Sequence, residues 1–186
     1  RKIHARKNPG VFLKLDISKA FDSLSWPFLL EVLRVIGFGQ KWIAWIAALL
    51  TTTNTKVIVN GVPGRSFTHA KGLRQGDPVS PLLFVIAMDV LTKIFSKAAM
   101  EGVISSFPGI SAMQRLSIYA DNVALFVKPS ASDLQFIRQA LQIFGQASGL
   151  RVNYAKSLAI LIRGNDADRR RVADMLQCQE GDFPCK

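Results

Sequence analysis

The stretch Leu116-Ser117-Ile118-Tyr119-Ala120-Asp121-Asn122-Val123-Ala124-Leu125-Phe126-Val127 sets two short apolar strand patterns on either side of a tight polar tip. That spacing predicts a β-hairpin presenting Asp121. A carboxylate beside buried strands carries a desolvation cost, which holding a cation would offset. Taken alone, the stretch favours a plain Asp-Asn turn, because both residues are common in turns. Asp16 and the loop at residues 72–81 reverse that preference.

Toward the N-terminus, Val11, Leu13, Leu15 and Ile17 alternate with Phe12, Lys14 and Asp16. Period-two patterning predicts a core strand that delivers Asp16 near its end, on the face opposite the aliphatics. Ser25 is placed to cap the helix that follows. Pro27 suits its first turn, Leu29, Leu30, Leu33 and Ile36 supply an apolar face, and Gly37 closes it. A second helix, at 41–50, is apolar almost all round and is expected to be buried. Lys56-Val57-Ile58-Val59, Asn60-Gly61 and the stretch from Val62 to Thr68 form a strong hairpin signal. Residues 71–81 hold two glycines and two prolines and are irregular. Ser80 then caps a long helix with Pro81 at its first position, and Leu82, Leu83, Val85, Ile86, Val90 and Ile94 are spaced for burial.

Beyond a connection at 101–114 and the Asp121 hairpin, Ser130 and Asp133 read as a capping box. They open a helix whose Leu134, Ile137, Leu141 and Phe144 share a face and which ends near Gly149. A short strand at Val152, a turn at 153–156, a strand at 158–162 and a helix at 166–176 complete the chain. Few strands, mostly hairpin-connected and separated by long helices, predict an α+β domain with an antiparallel sheet backed by helices.

Composition narrows the partners. The chain has 186 residues, a formal charge of +11 and 49% hydrophobic content. This is enough for one sizeable core. The basic excess, from Arg1, Lys2, Arg6 and Lys7 through Arg169-Arg170-Arg171, suits a polyanion such as nucleic acid or an anionic membrane surface. The longest apolar runs, at 42–50 and 82–88, fall far short of the roughly 20 residues that span a bilayer. Cys178 and Cys185 are too few for a structural zinc site, and a reducing compartment is the simpler reading. No export signal is visible, so an intracellular location, nucleus or cytoplasm, is expected. His4 and His69 have no partner spacing that suggests a metal.

Four segments, in order, resemble the motifs of reverse transcriptases, and among these the non-LTR, LINE-type retrotransposon enzymes. Leu15-Asp16-Ile17-Ser18-Lys19-Ala20-Phe21-Asp22 with Trp26 is similar to motif A, and Gly72-Leu73-Arg74-Gln75-Gly76-Asp77-Pro78-Val79-Ser80-Pro81 to motif B. Tyr119-Ala120-Asp121-Asn122 stands where the family has Tyr/Phe-Ala-Asp-Asp, its motif C. Gly149-Leu150-Arg151-Val152-Asn153 with Lys156-Ser157 resembles motif D. The resemblance implies a right-hand polymerase fold of which residues 1–186 supply the palm and part of the fingers, without the upstream fingers and the thumb. It implies RNA-directed DNA synthesis with an RNA template, a DNA primer and deoxynucleoside triphosphates.

It also implies two Mg²⁺ ions, with Mn²⁺ a substitute, held by Asp16 and Asp121. Two such ions about 4 Å apart repel by roughly 16 kcal/mol at an effective dielectric near 20, so carboxylates must offset them. Asn122 occupies the position of the third carboxylate and brings no charge, which predicts a crippled or inactive catalyst. Asp22, six residues beyond Asp16 and past the turn, is not a substitute. By resemblance, Phe21 excludes a 2′ hydroxyl, Arg74 reaches a phosphate, Gln75 and Gly76 meet the incoming nucleotide and template, and Lys156 is a general acid to the leaving pyrophosphate. Each keeps a plainer reading: a core aromatic for Phe21, a solvated cation for Arg74 and Lys156, a strand end for Asp16. Two competing functions also stand. One is a catalytically inactive nucleic-acid-binding remnant of such an enzyme; the other is an unrelated basic structural domain.

Overall fold

A computed structural model describes residues 10–52, 54–107, 111, 115–119, 122–163 and 166–182. Strand β1 (Gly10–Asp16) leads through a short helix α1 (Ala20–Ser23) into α2 (Trp26–Val35) and α3 (Gln40–Thr51). The hairpin β2 (Asn54–Val59) and β3 (Val62–Thr68) follows, then the long helix α4 (Ser80–Met100). Strands β4 (Leu116–Tyr119) and β5 (Asn122–Val127) precede α5 (Ala131–Ser148), a 3-10 turn (Tyr154–Lys156), β6 (Leu158–Arg163), α6 (Asp166–Leu176) and β7 (Gln179–Gly181).

Five strands form one sheet in the order β4-β5-β1-β6-β7, so the strand that comes first among the described residues lies at the centre. All its pairings are antiparallel except β6 with β7, which is parallel. The expected antiparallel sheet therefore gains a parallel edge. In β1 the aliphatics Val11, Leu13 and Leu15 are buried, while Phe12, Lys14 and Asp16 are half-buried on the other face. Leu134, Ile137, Leu141 and Phe144 of α5 join those aliphatics in one core, as their spacing predicted. Fully burying each such side chain contributes about 1.5–3 kcal/mol.

The caps explain where the helices begin. Ser25 Oγ accepts from the Phe28 N–H at 3.4 Å, and Ser130 Oγ accepts from the Asp133 N–H at 3.2 Å. Both serines work as predicted. Ser80 does not cap α4: it is the helix's first residue and is buried, and Asp77 Oδ1 instead accepts from the Val79 N–H at 2.8 Å. An aspartate two residues upstream closes an Asx-turn and leaves the serine free to pack.

Three burial expectations fail, the smallest at Ile36, which lies just past the end of α2 and is 44% exposed. In α4, Leu82 is 64% exposed and Val85 65%, whereas Leu83, Phe84, Ala87, Met88, Leu91 and Phe95 face the core. A helix apolar on most sides has several stripes at the right spacing, and only the sheet's position selects one. In α3 only Ile46 and Leu50 are buried, and Trp45 is 60% exposed. This helix leans on α2 and leaves its outer side open, with Lys41 Nζ 5.5 Å from the centre of a Trp45 ring.

A buried ionic cluster ties the connection after α4 to the start of α5. Asp133 accepts from the Ser105 N–H at 3.1 Å and from Ser105 Oγ at 3.1 Å, and Arg115 Nη2 donates to the Ser105 carbonyl at 2.5 Å. Burial pulls the Arg115 guanidinium below its ordinary range, and Asp133 opposes that pull.

Candidate active site

Asp16 ends β1, and its partner across the antiparallel ladder is Asn122, the first residue of β5. Residues directly opposite in such a pair project to the same face. The carboxylate and the carboxamide therefore share one side of the sheet, and both are half-buried. Tyr119 pairs with Asn122 across β4 and β5, which leaves two residues between the strands, as the hairpin pattern required. Asp121 lies outside the described residues. Among those described, no group of three His, Cys, Asp or Glu is arranged to hold a metal ion. The donors at this strand end are oxygen atoms, the kind that hard cations such as Mg²⁺ take.

The turn at 153–157 is clamped onto the same strand end. The Asp16 N–H donates to Ser157 Oγ at 3.1 Å, Ser157 Oγ donates to the Asn153 carbonyl at 2.8 Å, and the Asn153 N–H donates to the Asp16 carbonyl at 2.8 Å. These three bonds close a ring around the Asp16 backbone. Ile17 forms an isolated bridge with Val152, and the Ser18 N–H reaches the Arg151 carbonyl at 2.9 Å. Lys156 sits exposed inside this clamped turn. Beside it, burial pushes the Tyr154 hydroxyl above its ordinary range, Cys178 adding to the shift and Arg138 opposing it. Ser157 is fully buried, and the sequence reading gave it no role.

The loop from Gly72 crosses directly over α1. The Gly72 N–H donates to the Leu24 carbonyl at 2.8 Å, the Leu73 N–H to the Phe21 carbonyl at 2.6 Å, and Trp26 Nε1 to the Gly72 carbonyl at 2.6 Å. Gly72 has φ +86°, and a Cβ there would lie 2.7 Å from the Asp22 carbonyl oxygen. Only glycine fits so close a crossing. Gly76 also has a positive φ, +89°, but open space around it.

Arg74 and Gln75 line a cavity of about 440 Å³ with Asp22, Trp26 and His69. Neither Asp16 nor Asn122 is among its walls. His69, given no role from the sequence, lies 2.7 Å from Thr55 Oγ1 through its Nε2. Asp22 belongs to α1 and faces this cavity, apart from the strand end that carries Asp16. Phe21 is half-buried and stacks on Phe84 at 4.9 Å between ring centres.

The segments that resembled motifs A, C and D thus meet at one strand end, and the motif B segment is bonded to the helix that follows it. Residues 1–181 match the reverse transcriptase (RNA-dependent DNA polymerase) family. The chain belongs to that family. As a reverse transcriptase domain it is similar to the Pol polyprotein of the type-2 retrotransposable element R2DM of Drosophila melanogaster, 29% identical over 94% of this chain and 16% of the relative. It is likewise similar to a 149 kDa protein of transposon TX1 from Xenopus laevis, 27% identical over 86% of this chain and 12% of the relative. The chain therefore spans less than a fifth of the length of these two relatives. Its lineage is that of the non-LTR retrotransposon reverse transcriptases. A solved structure of apo telomerase from Candida tropicalis, truncated from its C-terminal domain, overlays with a TM-score of 0.64 at 14% identity. That overlay covers 85% of this chain and 32% of telomerase, and it places the reverse transcriptase domain in the polymerase palm fold. Among the described residues no helix is long and apolar enough to cross a membrane.

Proposed function

We propose that the chain is the catalytic core of an RNA-directed DNA polymerase that extends a DNA primer on an RNA template with deoxynucleoside triphosphates, and that Asn122 slows it. The observation that carries this reading is the register of β1 against β5, which sets Asp16 directly opposite Asn122. Asp16 and Asp121 would hold Mg²⁺, or Mn²⁺ in its place, and the Asn122 carboxamide, opposite Asp16 across the ladder, would offer an oxygen without a charge. Bound there, the ions supply charge neutralisation for an in-line displacement at phosphorus.

The rest falls to the chain's own residues. Lys156, carried on the clamped turn, donates a proton to the leaving oxygen. Arg74 and Gln75 hold phosphate and base of the incoming nucleotide, Gly76 gives the template backbone room, and Phe21 stands against a 2′ hydroxyl. An amide in place of a carboxylate removes one unit of charge from the metal site. Each 1.4 kcal/mol of lost transition-state stabilisation is tenfold in rate, and the deficit is expected to reach about two to four powers of ten.

The test is primer extension on an RNA template by the full-length protein, native against Asn122→Asp and Asp16→Asn. A large gain in Asn122→Asp and a total loss in Asp16→Asn support the reading; equal rates in native and Asn122→Asp refute the impairment. No extension by any of the three, with salt-sensitive duplex binding kept in Asp16→Asn, would leave a nucleic-acid-binding remnant, since phosphate neutralisation needs no metal.

A further inference from the structure

A depression of about 520 Å³ lies beside the Asp16 strand end, walled by three separate parts of the chain. Ser18, Ser23 and Ser25 come from the turn and helix after β1, Lys71 from the segment entering the Gly72 crossing, and Gln146 and Arg151 from either side of the α5 terminus. Among the described residues its lining has two cations, three hydroxyls and a carboxamide, and no carboxylate. Among those residues neither Lys71 nor Arg151 takes part in an ion pair, whereas Arg34, Lys93, Lys97, Arg169 and Arg171 each face an acid.

The walls are fixed to one another by backbone bonds. Ser18 N–H to Arg151 carbonyl at 2.9 Å, Ser25 N–H to Ser148 carbonyl at 2.8 Å and Gly72 N–H to Leu24 carbonyl at 2.8 Å join all three parts. Gly149, between Ser148 and Leu150, packs so tightly on the Ser23 carbonyl that a Cβ has no room. These bonds set the backbone that carries Ser18, Ser25, Lys71 and Arg151 before a ligand arrives, which lowers the ordering cost of binding. Ser25 Oγ already accepts from the Phe28 N–H, so its proton is left to donate. Charge-assisted bonds from a guanidinium and an ammonium are the strong ones, and phosphoryl oxygens are the acceptors a guanidinium fork matches.

The Ser23 hydroxyl is engaged, donating to the Ser18 carbonyl at 3.4 Å. We propose that this depression binds a compact phosphate-chain anion of pyrophosphate size, with Arg151 and Lys71 gripping its two phosphoryl groups and the Ser18 and Ser25 hydroxyls donating to the oxygens between. The proposal rests on the polymerase reading only for its source, because nucleotidyl transfer at Asp16 releases such an anion two residues from Ser18. Free pyrophosphate and the phosphate tail of a nucleotide share this chemistry.

The experiment is an NMR titration of the metal-free protein with inorganic pyrophosphate at constant ionic strength, repeated with dATP and with a short RNA duplex. Saturable shifts of the Ser18, Ser23 and Arg151 amides are expected with pyrophosphate. Affinity should fall about tenfold in Arg151→Ala and in Lys71→Ala and recover partly in Arg151→Lys. Both side chains are exposed, and an unchanged amide spectrum away from the depression confirms the fold in each variant. Competition by dATP assigns the site to nucleotide tails as well, and its absence assigns the site to the free anion; both uphold it. No saturation at millimolar pyrophosphate, shifts indifferent to both alanine variants, or shifts with RNA alone would overturn it. Because no metal is present, this result is independent of whether the protein extends a primer.

Discussion

Ser157 holds the backbone of Asp16, the Asp16 N–H donating to its Oγ at 3.1 Å across 141 residues of chain. The same hydroxyl donates onward to the Asn153 carbonyl, so one buried oxygen serves a strand end and a turn together. Ser157→Ala leaves the Asp16 N–H short of its partner, while the Asn153 carbonyl keeps the Lys156 N–H at 3.1 Å, and is expected to cost about 1–3 kcal/mol of stability. It should also raise the Mg²⁺ concentration needed for half-maximal primer extension, because Asp16 loses its anchor. Lys156→Ala, one residue away but exposed, should lower the rate and leave the melting temperature alone. If Ser157→Ala changed neither the melting temperature nor the Mg²⁺ requirement, the ring would have no positioning role.

The two positive-φ glycines of the motif B segment are predicted to differ sharply. At Gly72 an added Cβ meets the Asp22 backbone within 3 Å, so Gly72→Ala carries a steric clash as well as a strained φ and is expected to cost about 3 kcal/mol or more. At Gly76 the surroundings are open, and Gly76→Ala carries only the conformational cost, about 1–2 kcal/mol. Thermal unfolding of the two variants side by side decides the point; equal losses would mean that the crossing over Asp22 is not tight.

Cys178 links stability to alkaline pH. Burial pushes its thiol up to about 11, from 9 when free. A raised pKa of this kind means that the folded state keeps its proton while the unfolded thiol ionises. The contribution is fully present below about pH 9 and is lost as pH rises through about 11, roughly 2–3 kcal/mol in all. Chemical denaturation of a Cys185→Ser protein between pH 8 and pH 11, compared with the same protein carrying Cys178→Ala, isolates this slope. Its absence from the difference between the two would place the Cys178 thiol in water.

Much of this architecture is written locally. Asn60 and Gly61 both take positive φ, +51° and +79°, as a two-residue hairpin turn demands, and the dipeptide announces it. Ser25, Ser130 and Gly149 punctuate their helices for reasons contained within four residues. What escaped the sequence is non-local. No periodicity tells which stripe of α4 meets the sheet, or that nothing covers Trp45, because both depend on where other elements dock. The polar strand Gln179-Glu180-Gly181 has no strand pattern and exists because α6 returns the chain alongside β6. The site divides the same way. Asp16 and Asn122 could be read from strand ends, whereas the bond from Ser157 to Asp16 and the place of His69 beside Arg74 come from tertiary contact alone.

The central position of β1 imposes an order on assembly. Its neighbours are β5 and β6, so a ribosome that has finished β1 at Asp16 must go on to Arg163 before both flanks of that strand are occupied. Until then Leu13 and Leu15 have only part of their cover, and the end of the strand at Asp16 awaits a hydroxyl not yet synthesised. A prematurely terminated product lacking β6 would thus be left with a bare, sticky edge at its middle rather than a smaller version of the same domain.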